Sequence, residues 1–368
     1  MAEQSRPGAN AGAPSSPFEA GRTASNGQSD LNGQPASYGR SRPDNQPRRE
    51  LPIGIFDSGV GGLTVLAALL KRLPHERYCY LGDTARLPYG TKSVSTIARY
   101  SLQVAEKLVE RNIKLLVVAC NTATAAALPQ LREAYPDLPV LGVVEPGARA
   151  ACKRSRSGNI VVLGTESTIR GQAYTKAIQA VRPEATVTGV ACTLFVSLAE
   201  EGWMSGDVAE AAAARYLAPI LPDKTKRAAG RAGQVHGRGQ ESANRDELPA
   251  SETPHTAGPD CLVLGCTHFP PLAPVIQSVV GPHVVLVDSA ATTAEAVEDR
   301  LRELDLLHPA QAAAHAPPPS CAQPSLVSPD PLSRLTLLTT DAPERFARVG
   351  SLFLGRPLDP SALELVTL

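Results

Sequence analysis

Two cysteines at the ends of apolar runs are the residues of this sequence best suited to chemistry. Cys120 follows the run 115–119, and Cys266 follows the run 262–265, 146 positions beyond the first cysteine. Runs of this length predict buried strands, and open α/β sheets bind ligands at the carboxyl ends of their strands. A single cysteine in such a place is more often structural than reactive. Two in matching contexts lead to the hypothesis that both thiols face one substrate.

Small polar residues follow each cysteine. Asn121 and Thr122 come directly after Cys120, and Thr267 comes directly after Cys266. Core packing does not require side chains of this kind, whereas a zwitterionic substrate needs hydrogen-bond partners. The two strand ends therefore predict a site for a small polar molecule.

Acids and bases that could serve the thiols stand near other predicted strand ends. His268 lies two residues beyond Cys266, Asp57 ends the first strand, and Glu200 and Glu201 end a loop in the second half. The thiolate is the reactive form of cysteine, and its population at neutral pH depends on such neighbours. These residues are the candidates for proton transfer and for tuning the thiols.

Three other chemistries stay open on the residues alone. A cysteine hydrolase would use one thiol, a histidine base and an oxyanion hole, which leaves Cys120 without a role. A metal site at Cys120, Cys266 and His268 would need more ligands at a recognisable spacing. A thiol redox couple requires only that the two sulfurs approach each other, so the sequence excludes it least.

Two loops could help to hold a ligand. The strand 51–56 runs into the glycine loop 57–62 and then a helix, and N–H groups at a helix start attract negative charge. The glycine spacing matches neither the dinucleotide fingerprint nor the P-loop, so a substrate carboxylate suits it better. A tight turn explains that loop equally well. The loop 86–90 could present Tyr89 and backbone donors to a ligand, or it could be a plain turn.

Strands that alternate with helices predict an α/β fold of two similar, doubly wound domains. In each half a polar loop follows the first strand and a cysteine follows an inner strand. We interpret this as a weak internal duplication about a pseudo-two-fold axis, with the active site in the cleft between the domains. The first domain is expected at 51–143 plus about 288–368, and the second at 144–287.

Three segments have too few large apolar residues to form part of a core. Residues 1–50 predict a disordered tail, and residues 223–259 and 309–332 predict flexible insertions on surface loops. Seven cysteines without a C-x-x-C pair favour free thiols over disulfides or structural zinc.

The charge balance argues against nucleic acid and membrane partners. Lysine plus arginine (36) equals aspartate plus glutamate (36), so no global field attracts an anionic polymer. No apolar run reaches the length of a membrane span or a secretion signal. We therefore expect a soluble, cytoplasmic protein that binds neither nucleic acid nor membranes.

Four motifs in order resemble those of bacterial glutamate racemase, of the aspartate/glutamate racemase family. They occupy residues 54–63, 80–90, 119–123 and 264–270. The resemblance covers about 51–222, 260–308 and 333–356. It is specific because several motifs occur together, and the tail and both insertions fall outside it.

The resemblance implies interconversion of L- and D-glutamate without a cofactor or metal, which supplies D-glutamate for peptidoglycan. Inversion at the α-carbon needs a base on one face and an acid on the other. Following the family, Cys120 and Cys266 are these two groups, with Asp57 assisting the first and His268 assisting the second. Glutamate is the expected partner, and a homodimer is a candidate assembly, since the sequence leaves the oligomeric state open.

The family also implies a glutamate beside the second cysteine and a set of substrate contacts. That glutamate falls on Glu200, with Glu201 as the alternative. The sequence departs from the family here, since related sequences often show prolines at the positions of Cys192-Thr193 and Val196-Ser197. Aspartate racemase and a catalytically silent relative are the competing functions. The family's substrate-binding positions fall on Asp57, Ser58, Tyr89, Gly90, Asn121, Thr122, Thr267 and His268.

Overall fold

The structure, a computed structural model, describes residues 48–221, 258–314 and 331–368. Within these ranges strands alternate with helices. The strands are β1 (Ile53–Asp57), β2 (Tyr78–Gly82), β3 (Leu115–Val118), β4 (Val140–Gly142), β5 (Asn159–Gly164), β6 (Thr186–Ala191), β7 (Cys261–Gly265), β8 (Val285–Asp288), β9 (Leu335–Thr339) and β10 (Leu363–Leu365). The helices are α1 (Leu63–Arg72), α2 (Val94–Val109), α3 (Asn121–Ala134), α4 (Val144–Arg154), α5 (Glu166–Arg170), α6 (Ala173–Val181), α7 (Thr193–Glu200), α8 (Asp207–Leu217), α9 (Ala273–Val280), α10 (Ser289–Glu303), α11 (Pro309–Ala314) and α12 (Pro343–Leu354).

The first sheet is parallel and has the strand order β10-β9-β2-β1-β3-β4. All residues of β1, β2 and β3 are buried, which agrees with their apolar composition because helices cover both faces of such a sheet. The chain passes from β1 to β2 on one side and then returns to place β3 on the other side. The winding therefore reverses next to β1, and the crevice at its carboxyl end is where ligands of such sheets bind.

The second sheet repeats this arrangement with four parallel strands in the order β6-β5-β7-β8. Strand β5 corresponds to β1, since β6 lies on one side of it and β7 on the other. The buried run of β7, Cys261–Gly265, occupies the same place in its sheet as β3 does in the first. The second sheet thus has its own winding reversal between β5 and β7.

These two sheets confirm the α/β fold with two doubly wound halves that the sequence predicts. The domain boundaries at 143/144 and 287/288 stay a prediction. Most of the tail predicted at 1–50 and of the insertions predicted at 223–259 and 309–332 lies outside the described residues. No described helix is long and apolar enough to cross a membrane.

Helices join the two sheets into one packed unit. Helix α1 packs against α10, and α10 also packs against α4 and β7. Helix α12 also packs against α1. The first residues of the predicted insertion at 309–332 differ from the expectation, because they form α11. There the side chain of Gln311 is buried and accepts a hydrogen bond from the N–H of His75 at 3.1 Å.

A buried ion pair lies at the amino end of β3, away from the cysteine end. Lys114 Nζ donates to Glu76 Oε2 at 2.5 Å, to the carbonyl of Arg49 at 2.6 Å and to that of Leu306 at 2.8 Å. Both charged side chains are fully buried. Burial raises the pKa of Glu76 and lowers that of Lys114, and the opposite charge of each partner counteracts the shift. The pair ties distant chain segments to the sheet and has no part in the cysteine site.

Candidate active site

Cys120 and Cys266 occupy corresponding positions at the carboxyl ends of β3 and β7. Each stands at the winding reversal of its own sheet, where open α/β folds bind ligands. Both residues are buried, with 5% and 6% of their surface exposed. Cys120 Sγ donates to Ser58 Oγ at 3.7 Å, and Asp57, the residue before Ser58, accepts from Thr267, the residue after Cys266, at 3.5 Å. The structure thus brings the two predicted cysteines into one site.

Cys120 precedes α3 and caps its amino end. Its sulfur accepts a hydrogen bond from the N–H of Ala123 at 3.4 Å and donates to Ser58 Oγ at 3.7 Å. Burial and the nearby charge of Asp57 raise the pKa of this thiol to about 12, although its two hydrogen bonds oppose the shift. Cys120 is therefore a protonated thiol at neutral pH.

Asp57 ends β1 and is fully buried at the contact between the two halves. Its Oδ2 accepts from the N–H of Gly59 at 3.0 Å, and its Oδ1 accepts from Thr267 Oγ1 at 3.5 Å. Burial raises the pKa of Asp57, although the charge of His268 and three backbone hydrogen bonds lower it. The carboxyl group thus contacts the loop that follows Cys266 as well as its own.

The loop before α1 has no room for a side chain at Gly61. A Cβ there would lie 2.5 Å from Cε1 and Nδ1 of His268 and from Oγ1 of Thr267. Thr64, in the first turn of α1, donates to the carbonyl of Thr267 at 3.2 Å. The glycine therefore lets the first half approach the imidazole of the second half closely.

Cys266 has a histidine and a carboxylate in line behind it. Its sulfur is 3.8 Å from His268 Nδ1, and His268 Nε2 is 3.2 Å from Glu200 Oε1. Burial alone would lower the pKa of His268, but hydrogen bonds to Cys266 and Glu200 and the charges of Cys266 and Asp57 raise it to about 10. This imidazole is therefore a cation at neutral pH that faces the sulfur.

Of the two candidate glutamates, the structure brings Glu200 to the site. Burial opposes ionisation of Glu200, but the hydrogen bonds and charges of His268 and Arg345 outweigh it and lower its pKa. Glu201, at the end of α7, is exposed. The series of contacts that starts at Cys266 and passes through His268 therefore ends at Glu200.

Asn121 has a buried amide group without a complete set of partners. Its Oδ1 accepts from Tyr174 Oη at 2.8 Å, whereas its Nδ2 has no hydrogen-bond partner among the described residues. A buried unpaired donor costs free energy unless a ligand satisfies it. Tyr174 belongs to the second half, so it fixes the amide of Asn121 from across the site.

A cluster of threonine hydroxyls lies beside Asn121. Thr122 Oγ1 is 2.9 Å from Thr165 Oγ1 and 3.2 Å from Thr168 Oγ1. Thr122 lies in the first turn of α3 in the first half, while Thr165 and Thr168 follow β5 in the second. Each hydroxyl can donate or accept, so the cluster can adjust to a carboxylate or an ammonium group.

The turn of Tyr89 and Gly90 also touches the second half. A Cβ on Gly90 would lie 2.9 Å from the Cβ of Thr165, so a side chain here would push the turn and α5 apart. The phenol of Tyr89 is buried and donates to Asp83 Oδ2 at 2.5 Å. Because this hydroxyl is already engaged, the backbone of the turn is the better candidate to contact a substrate.

Four contributors to the site are absent from the sequence-based prediction: Thr165, Thr168, Tyr174 and Arg345. The two threonines had a signal, since they follow the first strand of the second half as Asp57 and Ser58 follow that of the first. Tyr174 and Arg345 lie on helices whose sequence shows no such mark. Within the described ranges every cysteine is free, and no three His, Cys, Asp or Glu side chains are grouped as around a metal ion.

Known proteins resemble this chain over most of its length. A profile of the Asp/Glu/Hydantoin racemase family matches residues 63–218. The glutamate racemase of Geobacter metallireducens is 45% identical over 306 residues, which are 83% of this chain and 93% of that protein. The structure of a Bacillus anthracis glutamate racemase has a TM-score of 0.67 at 29% identity, covering 87% of this chain and 98% of its own. The Francisella tularensis glutamate racemase in complex with D-glutamate gives 0.66 at 29% identity, with the same coverage. This chain therefore belongs to the glutamate racemase family.

Proposed function

We propose that this protein is a glutamate racemase that interconverts L- and D-glutamate by proton transfer at Cys120 and Cys266. One observation carries the proposal: each thiol ends the equivalent strand of its own sheet and has its own ionisable neighbour. That neighbour is Asp57 for Cys120 and His268 for Cys266. The D-glutamate bound to a relative supports the choice of substrate.

The reaction needs a base on one face of the α-carbon and an acid on the opposite face. One thiolate removes the α-proton, and the electron pair of the broken bond is left on the α-carbon and its carboxylate. The second thiol then transfers its proton to the opposite face, which yields the mirror-image amino acid. The two sulfurs have now exchanged protonation states, so the reverse reaction uses the same groups in exchanged roles.

Positioning and fixed donors must offset the weak acidity of the α-proton. Correct alignment of the reacting groups can contribute roughly 7–11 kcal/mol to lowering the barrier. The unpaired Nδ2 of Asn121 is a donor available to a substrate carboxylate, and the hydroxyl of Thr122 is next to it in the chain. Donors on the carboxylate stabilise the negative charge that develops when the proton leaves.

The two sides of the site hold their protons differently. Cys120 keeps its proton, since its pKa is raised to about 12 by burial and by Asp57. On the other side, His268 is protonated and can stabilise a thiolate on Cys266 or return a proton to it. We infer that the resting site holds an acid on the Cys120 face.

Exchange of the α-hydrogen in deuterated water tests the proposal. Wild type should racemise glutamate and place deuterium at its α-carbon. Cys120→Ala and Cys266→Ala should each reduce racemisation by at least about 100-fold, the usual contribution of a general acid or base. Each variant should also exchange the α-hydrogen of one enantiomer only, and the two variants should select opposite enantiomers.

Several outcomes of that experiment would contradict the proposal. Near-normal racemisation by either variant would exclude the two-thiol mechanism. Turnover of aspartate, but not of glutamate, by wild type would change the substrate to aspartate. Absence of any α-deuterium would leave a catalytically silent relative as the better description.

The D-glutamate formed would supply peptidoglycan synthesis, the role of glutamate racemases. A cytoplasmic location and a homodimer, both expected from the sequence, belong to the proposal as well. Measurement of the molar mass in solution by light scattering tests the dimer directly.

A further inference from the structure

Helix α12 reaches the Cys266 side of the site with two side chains. Arg345 Nη2 donates to Glu200 Oε2 at 2.9 Å. The ring of Phe353 meets that of His268 edge-on, with centroids 5.2 Å apart and planes at 75°. Helix α12 follows β9 of the first sheet, whereas His268 follows β7 of the second. The helix thus contacts the acid–base partners of Cys266 from the other half.

The carboxylate of Glu200 is held at both of its oxygens. Oε1 is 3.2 Å from His268 Nε2, and Oε2 accepts from Arg345. Rotation of the carboxylate would break one of these charge-assisted hydrogen bonds. The direction in which Glu200 presents an oxygen to the imidazole therefore depends on Arg345.

The ion pair between Arg345 and Glu200 contributes little to the stability of the fold. The side chain of Arg345 is 53% exposed, and ion pairs at such positions contribute little to folding. Helix α12 is already anchored by buried apolar residues, among them Phe346, Val349 and Phe353. If the ion pair served only to stabilise the fold, its removal would therefore change the free energy of unfolding very little.

We propose that Arg345 is a positioning residue that holds Glu200 against His268 and so aligns the acid–base partner of Cys266. The inference rests on the proposed racemase function. Loss of Arg345 leaves Glu200 with one partner and lets His268 shift relative to the sulfur. Arg345 contacts Glu200 on the Cys266 side of the site, so the proton transfers at Cys266 slow more than those at Cys120.

The test compares wild type with Arg345→Gln and with Arg348→Gln, an exposed arginine three residues further along α12. kcat/KM is measured for both glutamate enantiomers, each with hydrogen or deuterium at the α-carbon. We expect Arg345→Gln to lower kcat/KM roughly three- to ten-fold, the range for one charge-assisted hydrogen bond that is partly exposed. Arg348→Gln should match wild type, and Arg345→Lys should recover part of the loss.

The deuterium isotope effects separate positioning from a structural loss. In one enantiomer the label passes to Cys266 and in the other to Cys120. If the step at Cys266 becomes slower, the isotope effect rises for the first enantiomer and falls for the second. A structural loss lowers the active fraction and leaves both isotope effects unchanged.

Isotope effects equal to those of wild type, or an unchanged kcat/KM, would overturn the inference while leaving the racemase function intact. A wild type that does not racemise glutamate would overturn the proposed function, and this inference with it. Thermal unfolding of each variant shows that the compared proteins are folded.

Discussion

Replacement of Gly61 by alanine would test whether the loop before α1 sets the position of His268. The added Cβ would lie 2.5 Å from Cε1 and Nδ1 of His268 and from Oγ1 of Thr267. Contacts between such atoms are ordinarily roughly 3.5–4.0 Å long, so the imidazole must move by roughly 1 Å. Glycine at position 61 is therefore a requirement of the contact between the two halves.

The size of the effect follows from that displacement. A misplacement of about 1 Å can reduce a rate about 100-fold. We therefore expect Gly61→Ala to lower kcat/KM by about 100-fold, which corresponds to about 2.7 kcal/mol of transition-state stabilisation. Overpacking should also lower the free energy of unfolding by roughly 1–3 kcal/mol.

Racemisation is followed by circular dichroism at several glutamate concentrations, on samples shown to be folded by thermal unfolding. Gly59→Ala is the matched change in the same loop, since its Cβ would lie 3.4 Å from Leu87 Cδ2, an acceptable contact. Its kcat/KM should stay within about threefold of wild type. If Gly61→Ala kept the near wild-type kcat/KM expected of Gly59→Ala, the assignment of His268 as the partner of Cys266 would be refuted.

Two further changes test the charges of the structure. Glu200→Gln removes a carboxylate that helps to raise the pKa of His268 to about 10, so the ring should lose its proton at lower pH in an NMR titration. An unmoved titration would show that Glu200 does not stabilise the imidazolium. Lys114→Met leaves Glu76 buried without its cation and should lower the free energy of unfolding, measured with urea, by roughly 3–5 kcal/mol. The loss should shrink as falling pH protonates Glu76, whose pKa burial already raises. As a control, replacement of the partly exposed Lys107 by methionine should change stability by no more than about 0.5 kcal/mol.

The strands that carry the cysteines were predictable because their signal is local. A strand covered on both faces must be apolar throughout, and 115–118 and 262–264 have that composition. The position of each cysteine at a strand end then follows from the sequence. The order of the strands in each sheet decides which strand ends lie next to each other. No local sequence pattern specifies that order.

Helices with unusual residues were harder to predict. Helix α4 begins with Val144 and contains Pro146 and Gly147, residues that are typical of a turn. The proline is tolerated because N–H groups of the first helical turn have no acceptor within the helix. The chain from 166 to 181 forms two helices, α5 and α6, rather than one, since Gln172 between them adopts a left-handed backbone with φ of 53°.

The choice between Glu200 and Glu201 shows a similar limit for the site. Consecutive helical residues point about 100° apart, so only the placement of α7 decides which carboxylate meets His268. Arg345 lies 145 positions beyond Glu200, and its role depends wholly on the packing of α12. Sequence patterns supply candidates for the chemistry, whereas tertiary packing selects among them.

The unequal neighbours of the two thiols have a thermodynamic consequence. L- and D-glutamate have the same free energy in water, so their equilibrium mixture contains equal amounts whatever the protein provides. kcat/KM must then be equal in the two directions, although the neighbour of one sulfur is Asp57 and that of the other is His268. The asymmetry can appear only in how kcat and KM divide that common ratio. A site built from unlike halves can thus hold one enantiomer more tightly at saturation, but it cannot make more of it.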